Sequence, residues 1–184
     1  ILAVVFLAPI FIILFNSFKG KLYISDAPFK LPTAETFSGL QNYIDGLSKT
    51  GFLSAFGWSI FITFFSTIVI VLFTAMTGWY ITRSKTKVST SLYFIFVFSM
   101  IVPFQMVMFT MSKVANMLSL DNPIGLIVLY LGFGAGLSIF MFSGFVKSIP
   151  IDIEEAALID GCNPIKTFFL IVLPLLKPIC ITVA

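Results

Sequence analysis

Four carboxylates gather in one stretch of this chain. Asp152, Glu154, Glu155 and Asp160 stand in IDIEEAALIDGCNPIKTFFLIVLP, which ends at Pro174. Metal ligation needs a different pattern. Histidine is absent, and no Cys, Asp and Glu cluster has ligand spacing. No Walker sequence or other nucleotide motif is present. One role open to these acids is charge pairing with another surface. Glu155 can meet a basic residue there, and the small Ala156 and Ala157 let that surface approach the backbone. Gly161 sets a turn angle. The plainer reading is a solvated loop whose acids keep it in water.

The elements around this stretch are oily. The chain of 184 residues is 59% hydrophobic and 10% charged, with mean hydropathy +1.08. Soluble domains carry about 25% charged residues, so the expected fold is all-α, a polytopic helical membrane protein. The net charge of +3 comes without a basic run that would suit nucleic acid. Cys162 and Cys180 give no disulfide framework, and Cys180 reads as a small hydrophobe in an apolar run.

Apolar runs predict spans over about 1–18, 56–81, 89–111 and 122–146, and the beginning of a fifth over 174–184. The whole of 1–184 is then one transmembrane domain. Its apolar start and end suggest a piece cut at both termini. Pro9 is tolerated in the first span with a kink, and Pro103 kinks the third. Arg83, Lys85 and Lys87 follow Trp79 and Tyr80 at once, and this short basic loop points to the cytoplasm. Alternation then places the N-terminus and loop 147–172 inside, with 19–51 and 113–121 outside. In the first outer loop, Phe37, Leu40, Tyr43, Ile44 and Leu47 follow helical spacing, as a short surface helix would. Gly132 and Gly136 have GxxxG spacing, read as ordinary internal packing. Lys177 can snorkel if the membrane begins near Leu173 and Pro174.

Capping chemistry divides loop 147–172 into two helices. Ser148 can cap the first, with Pro150 in its first turn and the acids near its N-terminus. Gly161 ends it. Asn163 and Pro164 begin the second, whose apolar stripe is Ile165, Phe168, Phe169 and Val172.

The order Glu155-Ala156-Ala157, three residues, Gly161, nine residues, Ile171, one residue, Leu173-Pro174 resembles the EAA motif of permease subunits in binding-protein-dependent ABC importers. The segments from Thr77 to Arg83, Met100 to Gln105 and Gly144 to Pro150 are similar to the maltose-type, sugar-importing branch. Cys162, Asn163 and Pro164 replace the small residues that usually follow the motif glycine. The resemblance implies a type I ABC importer transmembrane domain of about six spans in a bacterial cytoplasmic membrane. It implies a loop that docks on a cytoplasmic ATPase subunit through Glu155, Ala156, Ala157 and Gly161. ATP and magnesium would be bound by the ATPase dimer, leaving this chain without cofactor or catalysis. A second homologous permease and an extracytoplasmic solute-binding protein complete the implied assembly. The solute path would lie between the two permeases, with Gln105, Asn116 and aromatic residues near Pro103 as lining candidates. Gln105 reads equally well as a partner for backbone groups freed by Pro103. A channel or secondary transporter is the competing class, but no spanning segment holds an ion-coupling acid.

Overall fold

The computed structural model describes residues 2–184; Ile1, where the first expected span begins, lies outside the described residues. The described residues form helices, with one isolated bridge between Lys19 and Phe37. The chain divides into two compact units, Ile1–Trp58 and Ser59–Ala184.

In the first unit, α1 (Leu2–Asn16) is apolar and contains Pro9. Its end is tied to the connector that follows. Lys19 is 1% exposed, and its Nζ donates to Asn16 Oδ1 and Ala27 O, each at 2.8 Å. The ammonium also lies 5.1 Å from the Phe15 ring centroid. These contacts satisfy a buried cation without a carboxylate. A short helix α2 (Lys21–Asp26) follows, and α3 (Gln41–Lys49) forms where the 37–47 periodicity predicts a surface helix. The Tyr43 and Ser17 hydroxyls are 2.6 Å apart, and Asn42 Nδ2 donates to Ser17 O and Lys19 O. On the exposed side of α3, hydrogen bonds from Lys49 and Gln41 hold the Asp45 carboxyl below its ordinary pKa.

The second unit is built on α4 (Phe52–Ser84) and α7 (Pro123–Val146), each long and apolar enough to cross a membrane. At 1.5 Å per residue, α4 is about 50 Å long, more than the roughly 30 Å of a hydrocarbon core. Gly78 is the point where α4 meets α7. A Cβ there would stand 2.8 Å from Phe142 Cβ and 3.2 Å from Ser143 N. Around it, Ala75, Phe142, Val146, Ile149, Phe168, Val172 and Leu176 form one buried cluster.

Two expected spans are broken. The segment 89–111 is not one kinked helix. It is α5 (Lys87–Ser99) and α6 (Phe104–Met117), bent by 106°. Pro103 lacks an N–H and pushes Val102 out of helical space, so the backbone turns a corner rather than a kink. Asn122 caps α7, accepting from Ile124 N and Gly125 N, and Pro123 occupies its first turn.

The last segment also differs from expectation. After α8 (Ile151–Ile159), α9 (Pro164–Thr167) runs through a π-helical turn, Phe168–Val172, into α10 (Leu173–Leu175). A 75° bend separates this run from α11 (Lys177–Val183). The exposed Lys177 opens α11 at that bend. The wide turn sets Phe168, Val172 and Leu176 on one buried face, so the helical run is already packed on α4 and α7 well before Pro174.

Candidate functional site

The site is the helix–turn–helix between α7 and the π turn. Its first helix does not begin as the sequence suggests. Ser148 Oγ donates to Phe145 O at 2.7 Å, closing the end of α7, and Pro150 stands at the N-cap of α8. A hydroxyl one turn beyond a helix end has two possible partners, and here the preceding carbonyl takes it. The end of α8 forms as expected. Gly161 has φ +82°, Cys162 N donates to Ala157 O at 2.9 Å, and Gly161 N to Leu158 O at 3.1 Å. That pair of bonds is a Schellman motif and satisfies two terminal carbonyls. No atom lies within 4 Å of a Cβ built on Gly161, so its glycine is required by backbone conformation and not by crowding. Asn163 Oδ1 then accepts from Lys166 N at 2.8 Å and caps α9, with Pro164 in its first turn.

Helical geometry separates the neighbouring glutamates by about 100° around the axis of α8, and the structure turns one inward and the other outward. Glu155 and Ala156 are exposed. Glu154 is 6% exposed and Ala157 4%. Ala157 therefore packs inside this chain, whereas the sequence reading placed it beside Ala156 on the outer surface. Of the stripe expected on the second helix, Phe168 and Val172 are buried, while Ile165 and Phe169 are exposed. The π turn rotates the helix face between them.

Glu154 is the residue that sequence reasoning missed. Its Oε1 accepts from Arg83 Nε at 3.0 Å and from Arg83 Nη2 at 2.8 Å. Its Oε2 accepts from Trp79 Nε1 at 2.8 Å. Arg83 Nη2 also donates to Ile149 O at 2.9 Å. Thus the carboxylate and its cation lose little hydrogen bonding when buried, the condition under which a buried ion pair is tolerated. The Trp79 ring lies 5.5 Å from Phe168, which fixes the indole from the other side. Arg83 was read as a topology charge and as the end of the Thr77–Arg83 resemblance; here it pairs internally with Glu154 and grips Ile149 O. A signal existed in the sequence: Glu154 and Ala157, three apart, share a helix face distinct from that of Glu155.

A recess of about 270 Å³ lies beside this cluster, with Trp79, Arg83, Glu154, Glu155, Leu158 and Pro164 in its wall. Its lining carries the exposed Glu155 next to apolar side chains. The arrangement can take a side chain with an apolar stem and a cationic head.

Gln105 and Asn116 are not brought together with this site. Gln105 is exposed on the first turn of α6. Asn116 Nδ2 donates to Asp121 Oδ2 at 3.0 Å, closing the turn between α6 and α7. The larger cavity, about 690 Å³, lies in the corner of α5 and α6 against α7. Phe104 and Phe133 line it, with ring centroids 5.2 Å apart, and neither amide does.

A family model described as "Binding-protein-dependent transport system inner membrane component" matches residues 70–184. The chain is 38% identical over 184 residues to the probable starch degradation products transport system permease protein of Thermoanaerobacterium thermosulfurigenes, covering 100% of this chain and 66% of that protein. It is 33% identical over 178 residues to the multiple sugar-binding transport system permease protein of Streptococcus mutans serotype c, covering 95% and 63%. The chain thus spans 66% and 63% of the length of these curated relatives. The fold is similar, at TM-score 0.78 and 24% identity, to the crystal structure of a bacterial ABC transporter involved in import of the acidic polysaccharide alginate, covering 99% of this chain and 63% of that one.

Proposed function

The chain belongs to the family of binding-protein-dependent transport system inner membrane components, and from that premise we propose that it is a permease subunit of an ATP-driven carbohydrate importer. A separate cytoplasmic ATPase subunit drives it through the α8–α9 turn. The observation that carries this reading is the division of α8. Glu155 and Ala156 face outward beside the recess, while the helix end is fixed by Gly161 at φ +82°. A rigid, acidic, small-residue knuckle of this kind suits insertion in a groove with a basic residue.

In this mechanism ATP and magnesium stay on the ATPase dimer. Closure of the dimer draws the knuckles of two permeases together, and the spanning helices rock between inward-open and outward-open states. The second permease is homologous to this chain, and an extracytoplasmic binding protein delivers the solute. Relatives whose names mention starch degradation products and multiple sugars support a carbohydrate cargo. The aromatic pair Phe104 and Phe133 supports a path through the α5–α6 corner, since aromatic faces suit sugar rings. Gln105 follows Phe104 directly and is the amide we assign to that path; Asn116 serves the adjoining turn.

The test is co-purification of the full-length chain with its ATPase subunit, together with ATP-dependent uptake of labelled malto-oligosaccharides in proteoliposomes. Glu155→Lys and Gly161→Asp are expected to lose both the subunit and the uptake. Retention of both in either variant overturns the docking role. Docking that persists without uptake of any sugar overturns the cargo.

A further inference from the structure

We propose that Glu154, Arg83 and Trp79 form a strut that carries displacement of the α8–α9 turn into α4, so that Glu154 and Arg83 are positioning residues for energy coupling. The inference rests on the docking role proposed for that turn.

The strut stands on connectivity. The turn could have hung from α7 and α9 by its chain ends alone. Instead, Glu154 in α8 is held by three hydrogen bonds from the last turns of α4, across 71 residues to Arg83 and 75 to Trp79. The same guanidinium grips Ile149 O, between α7 and α8. Every partner is recessed: the side chains of Arg83 and Glu154 are 19% and 8% exposed. On the far side of the indole, Phe168 leads into the buried cluster with Val172 and Leu176. A load applied at Glu155 therefore meets no free hinge between α8 and the end of α4.

The arrangement also divides labour between two adjacent acids. Glu155 faces outward, where a partner can reach it, and Glu154 faces inward, where its carboxylate bonds to α4. Arg83 and Glu154 both line the recess that Glu155 shares. A side chain seated in that recess would press on the strut itself. Charge-assisted bonds resist such loads better than neutral ones. Among the described residues the buried cluster contains none of α8, so the forked, directional bond set is what links α8 to α4.

The experiment uses the assembled importer with the full-length chain in proteoliposomes and reads Mg-ATP hydrolysis without added solute. While the strut is intact, closure of the ATPase must move α4, so hydrolysis is restrained. Glu154→Gln is expected to raise the rate about 5-fold or more while the ATPase subunit still co-purifies, the low end of ordinary coupling free energies. Trp79→Phe, which keeps an aromatic ring near Phe168 and loses the pyrrole portion with its N–H, is expected to give a smaller rise. A second readout is the distance between spin labels at Ile159 and Tyr80, both exposed. It is expected to stay constant when a non-hydrolysable ATP analogue is added to the unsubstituted complex, and to shift or broaden in Glu154→Gln. An unchanged or lowered rate in variants that retain the ATPase subunit overturns the strut. So does a label distance that changes with nucleotide in the unsubstituted complex. If Glu154→Gln does not assemble, Trp79→Phe and the unsubstituted label distance decide the matter. Failure of the docking role has a different signature: Glu155→Lys and Gly161→Asp then still retain the ATPase subunit and uptake.

Discussion

Adding a methyl group to Gly136 or to Gly132 puts the same atom on the same helix, one turn apart, with different consequences. A Cβ on Gly136 would lie 2.7 Å from Phe96 O and 2.7 Å from Ser99 Oγ, with Met100 Cβ at 3.4 Å. Ordinary contacts begin near 3.5 Å, so the end of α5 must retreat by roughly 0.5–1 Å. That retreat falls on the last turn of α5, where Ser99 Oγ donates to Phe96 O at 2.6 Å, directly before the corner with α6. Overpacking of this size costs about 1–3 kcal/mol. A Cβ on Gly132 meets nothing within 4 Å, because that face opens on the cavity. Both substitutions gain the helix propensity of alanine over glycine, about 1 kcal/mol. The gain cancels in the difference, leaving Gly136→Ala less stable than Gly132→Ala by about 1–3 kcal/mol. Unfolding of the two variants in mixed detergent micelles, followed by loss of helical circular dichroism, measures that difference directly. Gly132→Ala should be at least as stable as the unsubstituted protein. Equal midpoints, or a lower midpoint for Gly132→Ala, would refute the packing argument.

Two further outcomes follow from the caps and the buried cation. Gly161→Ala is expected to destabilise the turn by about 1–2 kcal/mol, because a Cβ in left-handed backbone is strained. Gly161→Asn should cost less, and limited proteolysis between α8 and α9 will rank the two. Lys19→Met leaves Asn16 Oδ1 without its donor and Ala27 O with only the longer bond from Lys30 N at 3.3 Å. A cost of about 1–3 kcal/mol is expected, read as faster protease cleavage of the connector between α2 and α3; an unchanged cleavage rate would show that the ammonium does not hold it.

Much of the site was legible locally. Gly161 ends a helix because a Schellman turn needs left-handed backbone, and Asn163 with Pro164 begins the next through one side-chain bond. Such interactions close within a few residues, so residue types at those positions are enough. Ser148 failed because its hydroxyl could serve either the helix before it or the helix after it. The oily composition likewise determined that the helices lie in a membrane, since apolar surface of this extent has no other solvent.

What the sequence by itself determined, then, is the all-helical class, the turn at Gly161 and the acidic stretch around it. Only the tertiary structure decided which of two adjacent glutamates is buried, which of two spaced glycines is packed, and how far the chain bends at Pro103 and Leu176. Helical periodicity places Glu154 and Glu155 on different faces, yet the inward face is chosen by Arg83 and Trp79, more than 70 residues away. A residue's type records what it can bond, and a distant partner arriving through the fold decides whether it does.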